Sequence, residues 1–380
     1  MSVSRFRRVL LAAVLAPLCF HSPDGFAQTP YNLYPIRPFF SPQGINDAGQ
    51  LVGVSFNDEG LGQGAIWTRG GNPPIMRLGT TYDAANDINN AAQVAGTHNL
   101  PSGELRPVVF ADGGMRDLGT LGGARGVAFA INESGQVTGF SRTAAGEDHA
   151  FLYADGALKD LGALEGGRSY GQGINNSGQV VGYATIAPGE DAPARAFLYS
   201  GGTMTDLGAF GGVASSATAI NDAGQVAGYA LDADGNTRAF LYEDGRMTDI
   251  GTPGGEWAVA NAINNRGDIV GYGGIASGEG RAFIYSEGKL TDLNNLLTPH
   301  EGWTVNMVNA INDDGEIAGF ACRPHPDYPA AFDCAGVFLT PVPEPAPWML
   351  WTCAVLLGWT CFKKKDYGRF LLPEKSVAVK

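Results

Sequence analysis

Charge is scarce in this chain, and basic charge most of all. Asp, Glu, Lys and Arg make up 17% of the 380 residues, with 25 Lys and Arg against 38 Asp and Glu. A chain with this acidic balance disfavours a phosphate backbone, which sets nucleic acid aside as a partner. Histidine occurs only five times. His98, His149 and His300 fall at unrelated places, and the chain has no metal-binding histidine pair. No catalytic residue, metal or other cofactor is therefore assigned. Helix signals are nearly absent too.

What the chain has in quantity is glycine, 55 residues of it, and one phrase that keeps returning. Ile-Asn-x-x-Gly-Gln-Val-x-Gly or a close variant occurs seven times, with its asparagine at 46, 89, 132, 175, 221, 264 and 312. The spacings are 43, 43, 43, 46, 43 and 48 residues, the period of one supersecondary unit copied in tandem. Four short runs rich in Val, Ile, Phe and Tyr fall in each period. In the fifth copy they are Ala217 to Ile220, Gln225 to Ala230, Arg238 to Tyr242 and Met247 to Gly251. Gly, Asn and Asp clusters bound them, as expected of antiparallel strands joined by tight turns. Asn-x-x-Gly suits a type I turn, so the repeated asparagine reads as a turn former.

Units of this size with four strands each build β-propellers, and a strand count gives the number of blades. Fourth runs end at Gly79, Gly119, Gly162, Gly208, Gly251 and Asn294, six in all, while the seventh copy stops after its third run, Gly336 to Leu339. Tyr31 to Ile36 precedes the first inner run where a fourth strand would sit. The expectation is an all-β, seven-bladed propeller over residues 28–341, closed by that N-terminal strand so that no sheet edge is left bare.

Both ends carry sorting features. Residues 1–27 read as a signal peptide: Arg5, Arg7 and Arg8, then an apolar run from Val9 to Phe20, then Gly25-Phe26-Ala27 before a cleavage point. Residues 342–380 hold Pro343-Glu344-Pro345, an apolar span over 346–362, Lys363 to Lys365 and a tail over 366–380. The span sits at the lower limit of a transmembrane helix, with the lysines on the cytoplasmic side. Val-Pro-Glu-Pro, apolar span and basic cluster together resemble the PEP-CTERM sorting signal of Gram-negative bacteria. That resemblance implies recognition by an exosortase-type processing enzyme, removal of a transient inner-membrane anchor, and delivery to the cell surface or an exopolysaccharide matrix. A plain C-terminal anchor is the alternative reading. His149-Ala150-Phe151-Leu152-Tyr153, with Asp160-Leu161-Gly162 and Ile174-Asn175, resembles the HAF repeat of bacterial extracellular proteins. This second resemblance implies secretion and a propeller-like fold, and carries no activity with it.

Candidate binding residues come from the repeat and from its irregular loops. Arg106, His149, Arg195, Arg238 and Arg281 share one position at the start of the third run. They form either a surface ladder with the Asp-Leu-Gly aspartates, the favoured reading, or a basic ring around one face. Only the loops joining the second and third runs, and the crossovers between copies, vary in length. They carry Tyr170, Trp257 and Trp303. Variation on a rigid scaffold is where binding usually sits, so a glycan or protein ligand is expected on that face.

Cys322 and Cys334 flank one such loop at the adjoining ends of antiparallel strands, where an oxidising compartment permits a disulfide. A zinc pair with His325 is the competing reading. Residues 28–345 hold 16 basic and 35 acidic residues, net −19. Variable loops on a repeated scaffold, with no catalytic constellation assigned, point to a non-enzymatic binding or structural protein. The alternative is a polysaccharide-active enzyme using carboxylates near the axis, with Asp268 and Glu316 as the available candidates.

Overall fold

A computed structural model describes residues 29–343 apart from 37–38, 72–74, 190–191, 327 and 329–330. Seven four-stranded antiparallel sheets follow one another around a ring. Six are built from consecutive strands, over residues 40–77, 84–117, 122–160, 169–206, 211–251 and 258–292. Blade 7 takes three strands from 304–341 and its fourth from Tyr31–Ile36, which pairs antiparallel with Phe332–Pro341, Leu33 opposite Leu339 and Ile36 opposite Gly336. The propeller is a compact unit spanning Pro30–Pro341. Among the described residues no helix is long and apolar enough to cross a membrane, and the span at 346–362 lies outside them.

The repeat phrase translates into blade geometry residue by residue. Its first glycine turns the chain between the inner and second strands. Gly224, at φ +80°, occupies the left-handed region that costs other residues energy. Blade 2 carries Ala92 there instead, at φ +57°. The last glycine serves a different purpose. Inner and second strands lose register by one residue at a bulge, between Ala217 and Ala219 in blade 5, and Gly228 stands opposite. A Cβ on Gly228 would lie 2.2 Å from the Ser216 carbonyl oxygen, and the equivalent Gly139 and Gly182 would meet theirs at 1.9 Å. Only glycine lets the two strands approach so closely.

Directly across from that glycine, on the third strand, stand Phe151, Phe197, Phe240 and Phe283, all fully buried. Each enters an apolar layer shared by adjoining blades. One such layer joins Ala227, Ala239 and Leu241 of blade 5 to Ile263, Ile269 and Phe283 of blade 6. No blade buries both faces alone, so the core is a set of wedges between blades, and closing the ring completes the last one.

Candidate functional site

The propeller offers two faces and a bore. On the face of the repeat turns, each motif asparagine is buried and does more than form its own turn. Asn175 Oδ1 accepts from the Gln179 backbone N–H at 3.0 Å, while its Nδ2 donates to Gln179 Oε1 at 2.7 Å and to the Asn221 carbonyl of the next blade at 3.1 Å. All seven asparagines repeat that interblade bond, and Asn312 closes the circle on the Asn46 carbonyl at 3.0 Å. Asp268 and Glu316 replace the glutamine acceptor in their turns, taking bonds from Asn264 at 3.2 Å and Asn312 at 3.0 Å. Arg266 also pairs with Asp268 at 2.9 Å. Both carboxylates therefore hold turns together and form no pair across the axis.

One residue further on, a second circle rims a 390 Å³ recess. Asp47, Asn90, Glu133, Asn176, Asp222, Asn265 and Asp313 each accept a backbone N–H from the preceding blade, at 2.8 to 3.2 Å. Acid and amide alternate until Asp313 meets Asp47, where an odd number of blades forces two acids together. Burial, together with the charges of Asp47, Asp222 and Asp313, raises the Glu133 carboxyl above its ordinary range. Below this rim the bore is lined by Gln43, Asn86, Phe129, Gln172, Thr218, Asn261 and Asn309, with small residues between them in six blades. Blade 2 has Asp87 at that intervening place. Asp87 accepts from the Ile88 and Ile131 N–H groups, both at 2.9 Å. Walled in by the inner strands, it is pushed up to about 6, burial outweighing those two bonds.

The opposite face carries the expected binding residues, and the structure separates them into groups. His149 reaches Asp160 at 2.9 Å and Arg238 reaches Asp249 at 2.8 Å, while Arg106 and Arg281 turn to Glu104 at 3.5 Å and Glu279 at 2.6 Å. Arg195 has its Nε buried without a hydrogen-bond partner among the described residues, as does Arg106. Among the described residues four of these cations have a carboxylate partner within their own blade. Trp303 is 3% exposed and packs in the core beside Tyr31 and Val305, under the Arg323 guanidinium. It offers no surface to a ligand, which corrects its assignment as a binding residue. Trp257 is half-buried, edge-on to Tyr272. Cys322 and Cys334 face each other across neighbouring strands and are joined by a disulfide, which leaves no thiolate pair for zinc.

Tyr170 belongs to a cluster that the repeat does not foreshadow. Its ring stacks on Tyr183 at 4.9 Å and meets Phe140 of blade 3 at 5.0 Å, and Phe140 in turn contacts Phe129 at the bore. The Tyr170 hydroxyl donates to Asp148 at 3.3 Å. Asp148 has no exposed side-chain surface, and Arg125 and Arg142 both bind it, the latter at 3.1 Å. Burial alone would raise the Asp148 carboxyl, but hydrogen bonds and charge from the two arginines outweigh it and hold the group below its ordinary range. Arg125, Arg142, Phe140 and Tyr183 were not singled out from the sequence. Alignment of the repeats holds one trace of them. The residue eight after the motif asparagine is Phe140, Tyr183, Tyr229, Tyr272 or Phe320 in five blades, but Val54 and Thr97 in the first two.

Comparison with known proteins adds the fold and little more. A family model described as a protein of unknown function, DUF3466, matches residues 208–340. No curated protein matches the chain. Among solved structures, an acylaminoacyl peptidase of Pyrococcus horikoshii is similar at TM-score 0.50 and 11% identity, over 75% of this chain and 50% of that one. A puromycin-hydrolyzing peptidase of Mycobacterium tuberculosis is similar at TM-score 0.50 and 14% identity, over 76% and 49%. This chain thus spans about half the length of either peptidase. TolB from Acinetobacter baumannii is similar at TM-score 0.40 and 11% identity, over 78% and 81%. At these identities the likeness is one of propeller architecture.

Proposed function

We propose that the protein is an exported, non-enzymatic binding propeller whose variable face takes a glycan at the cell surface or in an exopolysaccharide matrix. The observation that carries this is the row of half-buried aromatic rings flanked by Arg125 and Arg142. Among the described residues the combination of stacked rings with two arginines around one aspartate occurs in this one sector, while aromatic residues recur at the Tyr183 position of blades 3, 5, 6 and 7. Aromatic faces bordered by fixed polar groups suit an amphipathic ring such as a sugar, and binding surfaces are enriched in Tyr and Arg. The disulfide supports an oxidising destination. Export through the signal at 1–27, which rests on its residue pattern, and exosortase processing near Pro343, Glu344 and Pro345, which rests on the sequence resemblance, belong to the same proposal.

Calorimetric titration of the purified protein with exopolysaccharide from its host tests the reading. Saturable heat with the polymer length unchanged is expected. Shortening of the polymer would mark an enzyme, and absence of heat would leave an architectural protein.

A further inference from the structure

The binding reading names a face; the chemistry of the seam between blades 3 and 4 narrows the ligand. Resting on that reading, we propose that this seam is a subsite for a saccharide residue bearing a carboxylate. The sugar ring lies along Tyr170 and Tyr183, and its carboxylate is held by the outward N–H groups of Arg125 and Arg142.

Donor counting leads there. Two guanidiniums present ten N–H groups between them. The Asp148 oxygens occupy Nε of each arginine and one terminal nitrogen of Arg125. The Arg125 and Arg142 side chains remain 44% and 36% exposed, so their remaining donors face outward around a carboxylate that water does not reach. Asp148 fixes both guanidiniums, and a planar fork that is already ordered loses little freedom on meeting a second carboxylate. Two arginines around one aspartate leave a local excess of one positive charge, on a propeller whose residues 28–345 carry net −19. That contrast favours an anion at this place and at few others.

The rings supply the other half. Arg125 lies over Phe140 at 5.7 Å, and Phe140, Tyr170 and Tyr183 continue as a row from that guanidinium, each partly exposed. A ligand gripped by the arginines is thus led onto an apolar surface. Burial raises both tyrosine hydroxyls, that of Tyr183 to about 12, so they stay protonated; Tyr183 can donate to a sugar oxygen, while Tyr170, whose proton goes to Asp148, can accept from a sugar hydroxyl. Blades 1 and 2 have Ser41, Val54, Ala84 and Thr97 at the equivalent places and offer no such surface.

The test is a calorimetric comparison of an oligogalacturonate with its carboxyl-reduced neutral counterpart. The proteins are wild type, Arg125→Gln, the charge-balanced double variant Arg125→Gln/Asp148→Asn, and Tyr183→Leu, each checked for an unchanged melting transition. The acidic sugar is expected to bind ~10-fold or more tightly than the neutral one. Arg125→Gln, which leaves the cluster neutral, should erase that preference, the double variant, which keeps Arg142 alone, should reduce it, and Tyr183→Leu should weaken both ligands. If the single variant fails to fold, the double variant, which buries no unpaired charge, still gives the answer. Equal affinity for the two sugars, or acidic-sugar binding that survives the double variant and Tyr183→Leu unchanged, overturns the subsite while leaving a glycan-binding propeller. If wild type binds no saccharide, the binding reading itself falls.

Discussion

Asn312 Nδ2 donates to the backbone carbonyl of Asn46 at 3.0 Å, joining residues 266 apart in the chain. Six identical bonds connect the other neighbouring blades, so this one completes a closed circle of buried amides around the bore. Replacing Asn312 or Asn175 by Ala leaves a buried carbonyl of the next blade without its donor and removes the turn's own acceptor. Each should cost ~1–3 kcal/mol, measured by denaturant unfolding. A loss within ~0.5 kcal/mol of zero would show that the circle contributes nothing.

The second closure is the N-terminal strand. Removing residues 28–38 exposes the edge of Phe332–Pro341 and uncovers the apolar layer around Tyr31 and Leu339. A sharply lower melting temperature and a tendency to associate through the bare edge should follow. Unchanged melting of a monomer would contradict that closure.

Two alanine exchanges at repeat glycines and their substitutes should move stability in opposite directions. Gly228→Ala forces a Cβ against the Ser216 carbonyl, which only a backbone shift relieves, and should cost ~2 kcal/mol or more. Ala92→Gly relieves a left-handed alanine and should gain ~0.5–1 kcal/mol. Thermal melts of the two variants decide both.

Acid should act on this protein with two signs. Asp87 is raised in the fold to about 6, so the folded state binds more protons than the unfolded one between pH 4 and 6. Its contribution is favourable below that window and is lost as pH rises through it, by at most ~3 kcal/mol and less where water in the bore solvates the carboxylate. Glu133 at the rim is raised as well and acts in the same sense. Asp148 is lowered, so its contribution is present above the ordinary carboxylate range and is lost as pH falls below it. The stability difference between wild type and Asp87→Asn, followed by thermal melts from pH 4 to 7, should shift against wild type across the window. A flat difference would place Asp87 in full contact with solvent.

Breaking the disulfide tests the last blade. The bond closes a loop of 12 residues, for which the chain-entropy model gives up to ~3 kcal/mol. Cys322→Ser/Cys334→Ser should lower stability by that order in unfolding experiments, and mass spectrometry of exported protein should find no free thiol at either position.

Much of this architecture could be read before any coordinates, because a tandem repeat writes its period into the sequence. Seven blades, four strands each, and the role of Tyr31 to Ile36 followed from spacing and a strand count. What spacing could not disclose is contact across blade boundaries. The repeated asparagine read as a turn former, and its donation to the next blade is invisible in a single copy. Asp87 occupies a place where the other copies have glycine or alanine, and without the register of the inner strands nothing marks it as facing the bore. Arg125, Arg142 and Asp148 lie on three different segments. Only the pairing of Arg142 with Asp148 across one hairpin brings them together around Tyr170 of the following blade. Trp303 erred the other way, since a tryptophan near a variable loop can equally well turn inward.

The most direct test of the binding account is a chemical-shift map. An acidic oligosaccharide is titrated into protein carrying ¹³C-labelled aromatic side chains. The account predicts saturable perturbations at Phe140, Tyr170 and Tyr183, with Tyr34, Tyr153 and Tyr285 unmoved. Perturbations that leave the three rings untouched, or that spread evenly over all tyrosines, would contradict it.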